Sequence, residues 1–97
     1  MAAYVIAHIE VTDPAGYTEY VRQVPATVTR YGGRYLARGG RTERLEGDAP
    51  IHRMVILEFP SLEQARRWYD SPEYRPIRAI RQANSRGQIV VLEGLPA

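Results

Sequence analysis

The sequence predicts an α+β plait of order β-α-β-β-α-β, an antiparallel sheet with its helices on one face. Three observations predict it. The chain has 97 residues, enough for one domain spanning 1–97. Short runs rich in β-branched and aromatic residues alternate with longer stretches of three- and four-residue apolar spacing. Glycine, proline or a capping side chain punctuates the junctions between them.

The first run, Tyr4 to Val11, lacks helix-period spacing and reads as a central strand. Strand alternation puts Val5, Ala7, Ile9 and Val11 on one face, with Tyr4, Ile6, His8 and Glu10 on the other. Asp13-Pro14 supplies an N-cap and a first-turn proline for a helix striped by Tyr17, Tyr20, Val21, Val24, Val28 and Tyr31. Pro25 predicts a kink in it, and Gly32-Gly33 ends it. A second strand, Arg34 to Arg38, meets Gly39-Gly40, read as a bulge or bend before a continuation over Thr42 to Glu46. Turn chemistry at Gly47-Asp48-Ala49-Pro50 leads into the strongest strand, His52 to Phe59. Ser61 and Gln64 form a capping box for a helix through Ala65, Trp68 and Tyr69. Ser71-Pro72-Glu73 opens another helix, striped by Tyr74, Ile77 and Ile80. Gly87 breaks that pattern, Gln88 to Glu93 is the last strand, and Gly94 to Ala97 is a tail. Right-handed crossovers in both halves give the ferredoxin-like arrangement.

Composition narrows the function more than it defines it. With no Cys there is no disulfide and no thiolate zinc site. All 13 basic residues are Arg, but against 11 acidic ones the net charge is only +2, and the arginines are scattered from Arg22 to Arg86. That balance argues against a nucleic-acid partner, as does the lack of a basic glycine-aromatic motif of the RNA-recognition kind. No run approaches the roughly 18 apolar residues of a membrane span, and the N-terminus lacks a leader pattern. A cytoplasmic protein without membrane contact is expected.

The sheet face away from the helices is expected to carry Tyr4, Ile6, Met54, Ile56, Ile89 and Val91, with His8, Glu10, Glu58 and Glu93. Six apolar side chains on one open face exceed what water-facing sheets usually carry, so a homodimer with these faces packed together is expected.

Several short motifs in order carry a family resemblance. They are Asp13-Pro14 with Tyr17 and Tyr20, Tyr31-Gly32-Gly33, Arg38-Gly39-Gly40, Glu46-Gly47 and Glu58-Phe59-Pro60-Ser61. Trp68-Tyr69-x-Ser71-Pro72-Glu73-Tyr74, Arg81 and Glu93-Gly94 complete the set. Over essentially its full length the chain resembles the DUF1330 family. The resemblance implies a dimeric α/β-barrel shared with antibiotic-biosynthesis monooxygenases, and it brings no assigned activity.

Three groups of residues are candidates for chemistry. With the first and third strands read as parallel neighbours, Glu10 and Glu58 fall together beside His8, a set suited to acid–base catalysis or to an interfacial salt-bridge network. No spacing supports a metal site there. Arg38-Gly39-Gly40 is either an anion-binding turn, with Arg53 as a further cation, or a plain bulge between solvated arginines. Trp68 and Tyr69, with Tyr17, Tyr20 and Tyr74, make either a packed core or the wall of a ligand pocket. No nucleophile triad, phosphate loop or dinucleotide fingerprint is present. The expected functions are a small-molecule oxygenase or isomerase that needs no bound cofactor, by analogy of fold, or a non-catalytic dimeric ligand-binding or structural module.

Overall fold

A computed structural model of the chain describes residues 1–96. In chain order its elements are β1 (Ala3–Val11), α1 (Pro14–Arg30), β2 (Arg34–Arg38), β3 (Arg53–Phe59), α2 (Leu62–Tyr69), α3 (Tyr74–Asn84) and β4 (Ser85–Glu93). The sheet order is β2-β3-β1-β4, and each neighbouring pair is antiparallel. This is the ferredoxin-like α+β plait that the sequence predicts.

Local chemistry sets the helix boundaries. Asp13 Oδ1 accepts the Gly16 N–H at 3.3 Å to start α1, which continues on both sides of Pro25. It closes in a Schellman motif, with Gly32 N–H on Thr29 O and Gly33 N–H on Val28 O. Ser61 Oγ accepts the Gln64 N–H at 3.0 Å and opens α2. The Gln64 amide then reaches away to Tyr31 O instead of returning to cap Ser61. Ser71 Oγ, buried, accepts the Tyr74 N–H and starts α3. All three helices cover one sheet face and bury a common core, including Val5, Ile9, Leu57, Phe59, Trp68 and Tyr74.

Four details differ from the sequence reading. β1 and β3 are adjacent but antiparallel, because the β1-α1-β2 crossover leaves a gap between parallel β1 and β2 that β3 fills in the opposite sense. Thr42 to Glu46 forms no strand; the segment from Gly40 to His52 has no regular structure. The one apolar side chain of Thr42 to Glu46, Leu45, is 94% exposed, so a strand there would have no face to bury. Gly87 lies within β4, and a side chain there would overlap the His8 carbonyl across the ladder. In β4, Val90 and Leu92 stand opposite Ile6 and Tyr4 on the open face, whereas Ile89 and Val91 stand opposite Ala7 and Val5 under the helices. The run Ile89–Leu92 is apolar at every position, so alternation gives no sign of which face is which. Of the predicted tail, Gly94 to Pro96 is irregular, and Ala97 lies outside the described residues.

The junction between α1 and α3 carries an acid-sensitive tie. Tyr31 Oη donates to Glu73 Oε1 at 2.6 Å, and Arg30 Nε meets Glu73 Oε2 at 2.9 Å. The Tyr31 bond first, with Arg30 beside it, holds the Glu73 carboxyl below the usual carboxylate range. A carboxylate depressed in the folded state stabilises it above the unfolded pKa, and that contribution is lost as pH falls through the folded value. Tyr31→Phe is therefore expected to lower the urea midpoint at neutral pH. The gap to the parent should narrow as the pH falls through the lowered folded value of the carboxyl.

Candidate functional site

Between the sheet and the helices lies a cavity of about 40 Å³, floored by Val5, Ala7 and Ile9 of β1. Its polar lining is Tyr17, Tyr20, Tyr35, Arg38, Arg53 and Arg81. Each arginine arrives by a different device.

Arg38 is turned inward by a β-bulge. Tyr35 pairs with Leu57, and Arg38 pairs with Val55, with one extra residue at Leu36. In a regular strand two residues three apart point to opposite faces. The bulge brings both Tyr35 and Arg38 to the cavity side, with the Arg38 guanidinium 4.7 Å from the Tyr35 ring centre. The irregularity is thus at Leu36 and not at Gly39-Gly40.

Arg53 shares the helix-side face of β3 with Val55 and Leu57, and its guanidinium lies 6.0 Å from the Tyr17 ring centre. Gly39 makes room for it: a Cβ there would overlap the Arg53 guanidinium, and its φ of +62° suits glycine. Gly39→Ala is expected to cost about 1–2 kcal/mol from the backbone conformation alone and to push Arg53 out of place. Chemical denaturation reads the first effect, and titration with a carboxylate reads the second. Gly40 has open space around it and touches nothing here.

Arg81 sits on the buried stripe of α3, where Tyr74, Ile77 and Arg81 follow at helical spacing, and it is 8% exposed. The signal was readable in the sequence: a cation seven residues after Tyr74 and four after Ile77 lies on the apolar face. Arg53 and Arg81 each bury an Nε–H with no hydrogen-bond partner among the described residues. None of Arg38, Arg53 or Arg81 forms an ion pair among the described residues.

The hydroxyls add donors. Tyr20 and Tyr74 share a hydrogen bond of 2.7 Å. Burial raises the pKa of Tyr17, against the pull of Arg53 and Arg81, and burial raises that of Tyr35 against the pull of Arg38. Burial and then Tyr74 push Tyr20 up as well. Burial disfavours the Arg81 cation, the Tyr74 and Tyr20 hydroxyls favour it, and the balance raises its pKa. Near neutrality the cavity therefore presents cations and protonated phenols. Its described lining includes no carboxylate and no histidine, so it is built to hold negative charge and has no side chain suited to removing a proton.

A family model described as domain of unknown function, DUF1330, matches residues 2–95. The chain belongs to the DUF1330 family. No curated protein matches it. Among solved structures, RPA0582 from Rhodopseudomonas palustris, a protein of unknown function, superposes with a TM-score of 0.79 at 21% identity, covering 99% of this chain and 84% of that one. SnoaB from Streptomyces nogalater, a cofactor-independent oxygenase, gives 0.68 at 15% identity over 99% and 95% of the two chains. Rv0793 from Mycobacterium tuberculosis gives 0.60 at 20% identity over 100% and 98%. At such identities the likeness is one of fold.

The motifs by which the sequence resembles DUF1330 have distinct places in this structure. Arg38, Gly39, Tyr17, Tyr20, Tyr74 and Arg81 line or shape the cavity, while Tyr31 and Glu73 tie α1 to α3. Trp68, 2% exposed, belongs to the core. It stacks on Tyr74 with ring centres 4.1 Å apart, donates from Nε1 to Thr27 Oγ1 at 3.0 Å, and still forms part of the cavity wall. Tyr69 lies outside that cavity in an adjoining groove, beneath the Arg78 guanidinium at 4.6 Å.

His8, Glu10 and Glu58 do not come together. Antiparallel pairing sets Glu58 opposite Tyr4, six residues and roughly 20 Å along the strand from Glu10. Glu58 meets Arg34 at 2.7 Å. Glu10 lies 3.5 Å from Arg86 and 3.9 Å from His52, whose backbone N–H donates to His8 Nε2 at 2.9 Å. The described residues hold no cluster of metal-ligating side chains, and no helix among them is long and apolar enough to cross a membrane.

Proposed function

We propose that this chain is a small-molecule-binding protein whose buried cavity seats the anionic oxygen group of an organic ligand. One observation carries the reading. The Nε–H groups of Arg53 and Arg81 are buried and have no partner among the described residues, and both side chains line the same cavity. Leaving a buried donor unpaired costs about 1–3 kcal/mol, and more when it is charged. An oxyanion between them supplies both the acceptor and the opposite charge, in a site where water screens them less than at the surface. A thermal-shift assay tests this. Benzoate is expected to raise the unfolding midpoint in a concentration-dependent way, and benzyl alcohol, of similar shape but neutral, is not. Equal shifts with both compounds, or none with either, would count against an anion site.

A second reading adds catalysis. Cations that hold a carboxylate also stabilise an enolate, and an oxygenase or isomerase acting without a cofactor needs a carbanion equivalent of that kind. The fold shared with SnoaB, a cofactor-independent oxygenase, supports it. The cavity offers no base of its own, so such a substrate has to be acidic enough to ionise under the influence of the arginines alone. Binding is the better-supported reading.

The assembly we propose is a homodimer. Tyr4, Ile6, Met54, Ile56, Val90 and Leu92 share the open sheet face; Met54 is 36% exposed, Val90 47% and Leu92 57%. Ile89 and Val91 leave the set predicted from the sequence, but Val90 and Leu92 replace them, so the physical argument keeps its strength. Sedimentation equilibrium at micromolar concentration should give twice the chain mass, and Leu92→Lys should shift the population towards single chains. A parent protein that sediments as a monomer would refute the dimer.

A further inference from the structure

We infer that the ligand is an organic acid with a flat apolar body, its carboxylate on Arg53 and Arg81 and its body lying past Ile89 in the groove between α2 and β4. This rests on the anion reading above and adds a chemical class and a residue that sets size. The cavity, at about 40 Å³, is far below the roughly 300–1,000 Å³ of ordinary ligand pockets. It suits a carboxylate but not the rest of a molecule.

Two larger concavities adjoin it. One, of about 330 Å³, runs between Ala65, Trp68 and Tyr69 of α2 and Val90 and Val91 of β4. The other, of about 230 Å³, lies near the C-terminal half of α3 and has Arg81, Gln82, Ser85 and Arg86 in its wall. The α2 groove shares Val5, Trp68 and Ile89 with the cavity. The α3 groove shares Arg81 and Ile89 with it. Ile89 alone stands in the walls of all three.

Chemistry chooses between the grooves. The α3 groove is mostly polar, and an apolar body gains little there. The α2 groove joins aromatic and aliphatic walls, with the polar side chains of Arg66 and Asp70 exposed. A planar ring there would pack against Trp68 while its acid group reaches the arginines. Ile89 is partly buried and lies on an edge strand, hydrogen-bonded only to β1 on its inner side. Its branched side chain therefore fixes how wide a body can pass from cavity to groove.

The test is a calorimetric titration of the full chain with acetate, benzoate, 2-naphthoate and neutral 2-naphthalenemethanol, with acetate measured by competition against benzoate. Parent affinity is expected to rise in the order acetate, benzoate, 2-naphthoate, by about tenfold or more across the series, with the alcohol much weaker than the acid. Ile89→Ala should tighten 2-naphthoate several-fold and leave acetate unchanged. Val91→Glu, placing a like charge in the groove, should remove the gain from the ring and leave acetate binding in place. If acetate binds as well as 2-naphthoate, or Ile89→Ala treats all acids alike, the groove plays no part and this inference is overturned while the anion site survives. If no acid binds, both fail. Alcohol and acid of equal affinity would also overturn it.

Discussion

Replacing Arg81 by methionine is expected to make the protein more stable and to weaken its hold on an organic anion. Arg81 is 8% exposed, and its Nε–H has no partner among the described residues. In the unliganded protein this Nε–H is a donor taken out of water without a described acceptor, and mainly the Tyr74 and Tyr20 hydroxyls offset the burial of the charge. Methionine has similar length, lies on the same stripe as Tyr74 and Ile77, and needs no partner. Replacing buried charges by well-packed apolar side chains is often neutral or stabilising by about 1–4 kcal/mol. For a domain of this size a gain of about 1 kcal/mol would raise the melting midpoint by roughly 4–8 °C. The Tyr20–Tyr74 hydrogen bond stays, since neither hydroxyl depends on Arg81 for it. Benzoate affinity should fall by about 2 kcal/mol or more, roughly 30-fold. A residue kept for function at a cost in stability gives this pair of opposite changes. An Arg81 that serves only packing would instead give a less stable variant. Differential scanning calorimetry, with and without benzoate, measures both quantities on one sample.

Trp68→Ala is expected to destabilise the fold by about 3–5 kcal/mol, a large part of the roughly 5–15 kcal/mol available to a small domain. Trp68 is the sole tryptophan and among the largest fully buried side chains. It packs on Tyr74 at 4.1 Å and Phe59 at 5.4 Å between ring centres, and its Nε1–H satisfies Thr27. Truncation removes all three contacts, leaves the Thr27 hydroxyl with only its own bond to Val24 O, and opens a void next to an existing cavity. Urea unfolding followed by circular dichroism gives the loss directly. Trp68→Phe should cost less, because the aromatic stack is largely kept. A loss under 1 kcal/mol for the alanine variant would mean that the indole serves as a pocket wall and not as core.

What could be read from the residues divides along physical lines. Strands with a strict alternation were legible: Val5, Ala7 and Ile9 lie under the helices as the pattern of β1 requires. Helix ends were legible too, because Asp13, Ser61 and Gly32-Gly33 act through bonds to nearby backbone. What failed depended on distant parts of the chain. The direction of β1 against β3 is a property of the crossovers, so Glu10 and Glu58 were placed side by side when they stand at opposite ends. The uniform run Ile89–Leu92 hid its parity. The bulge at Leu36 carries no glycine, yet it is what brings Arg38 to the cavity side, while Gly39 nearby serves to seat Arg53. Among the candidates for anion binding, Arg38 and Gly39 belong to the cavity. Arg81 was visible as a family motif and as a cation on an apolar stripe, but its burial followed only once α3 had packed.

Nitrogen-detected NMR of the arginine side chains is the most direct test, because the Nε–H groups of Arg53 and Arg81 are themselves the proposed contacts. In the unliganded protein both should give resonances protected from exchange with water. Benzoate should move these two in a saturable way and leave the exposed arginines nearly still, whereas benzyl alcohol should move neither. If benzoate shifts only surface arginines, or leaves the buried pair unmoved at saturating concentration, the cavity does not bind an anion.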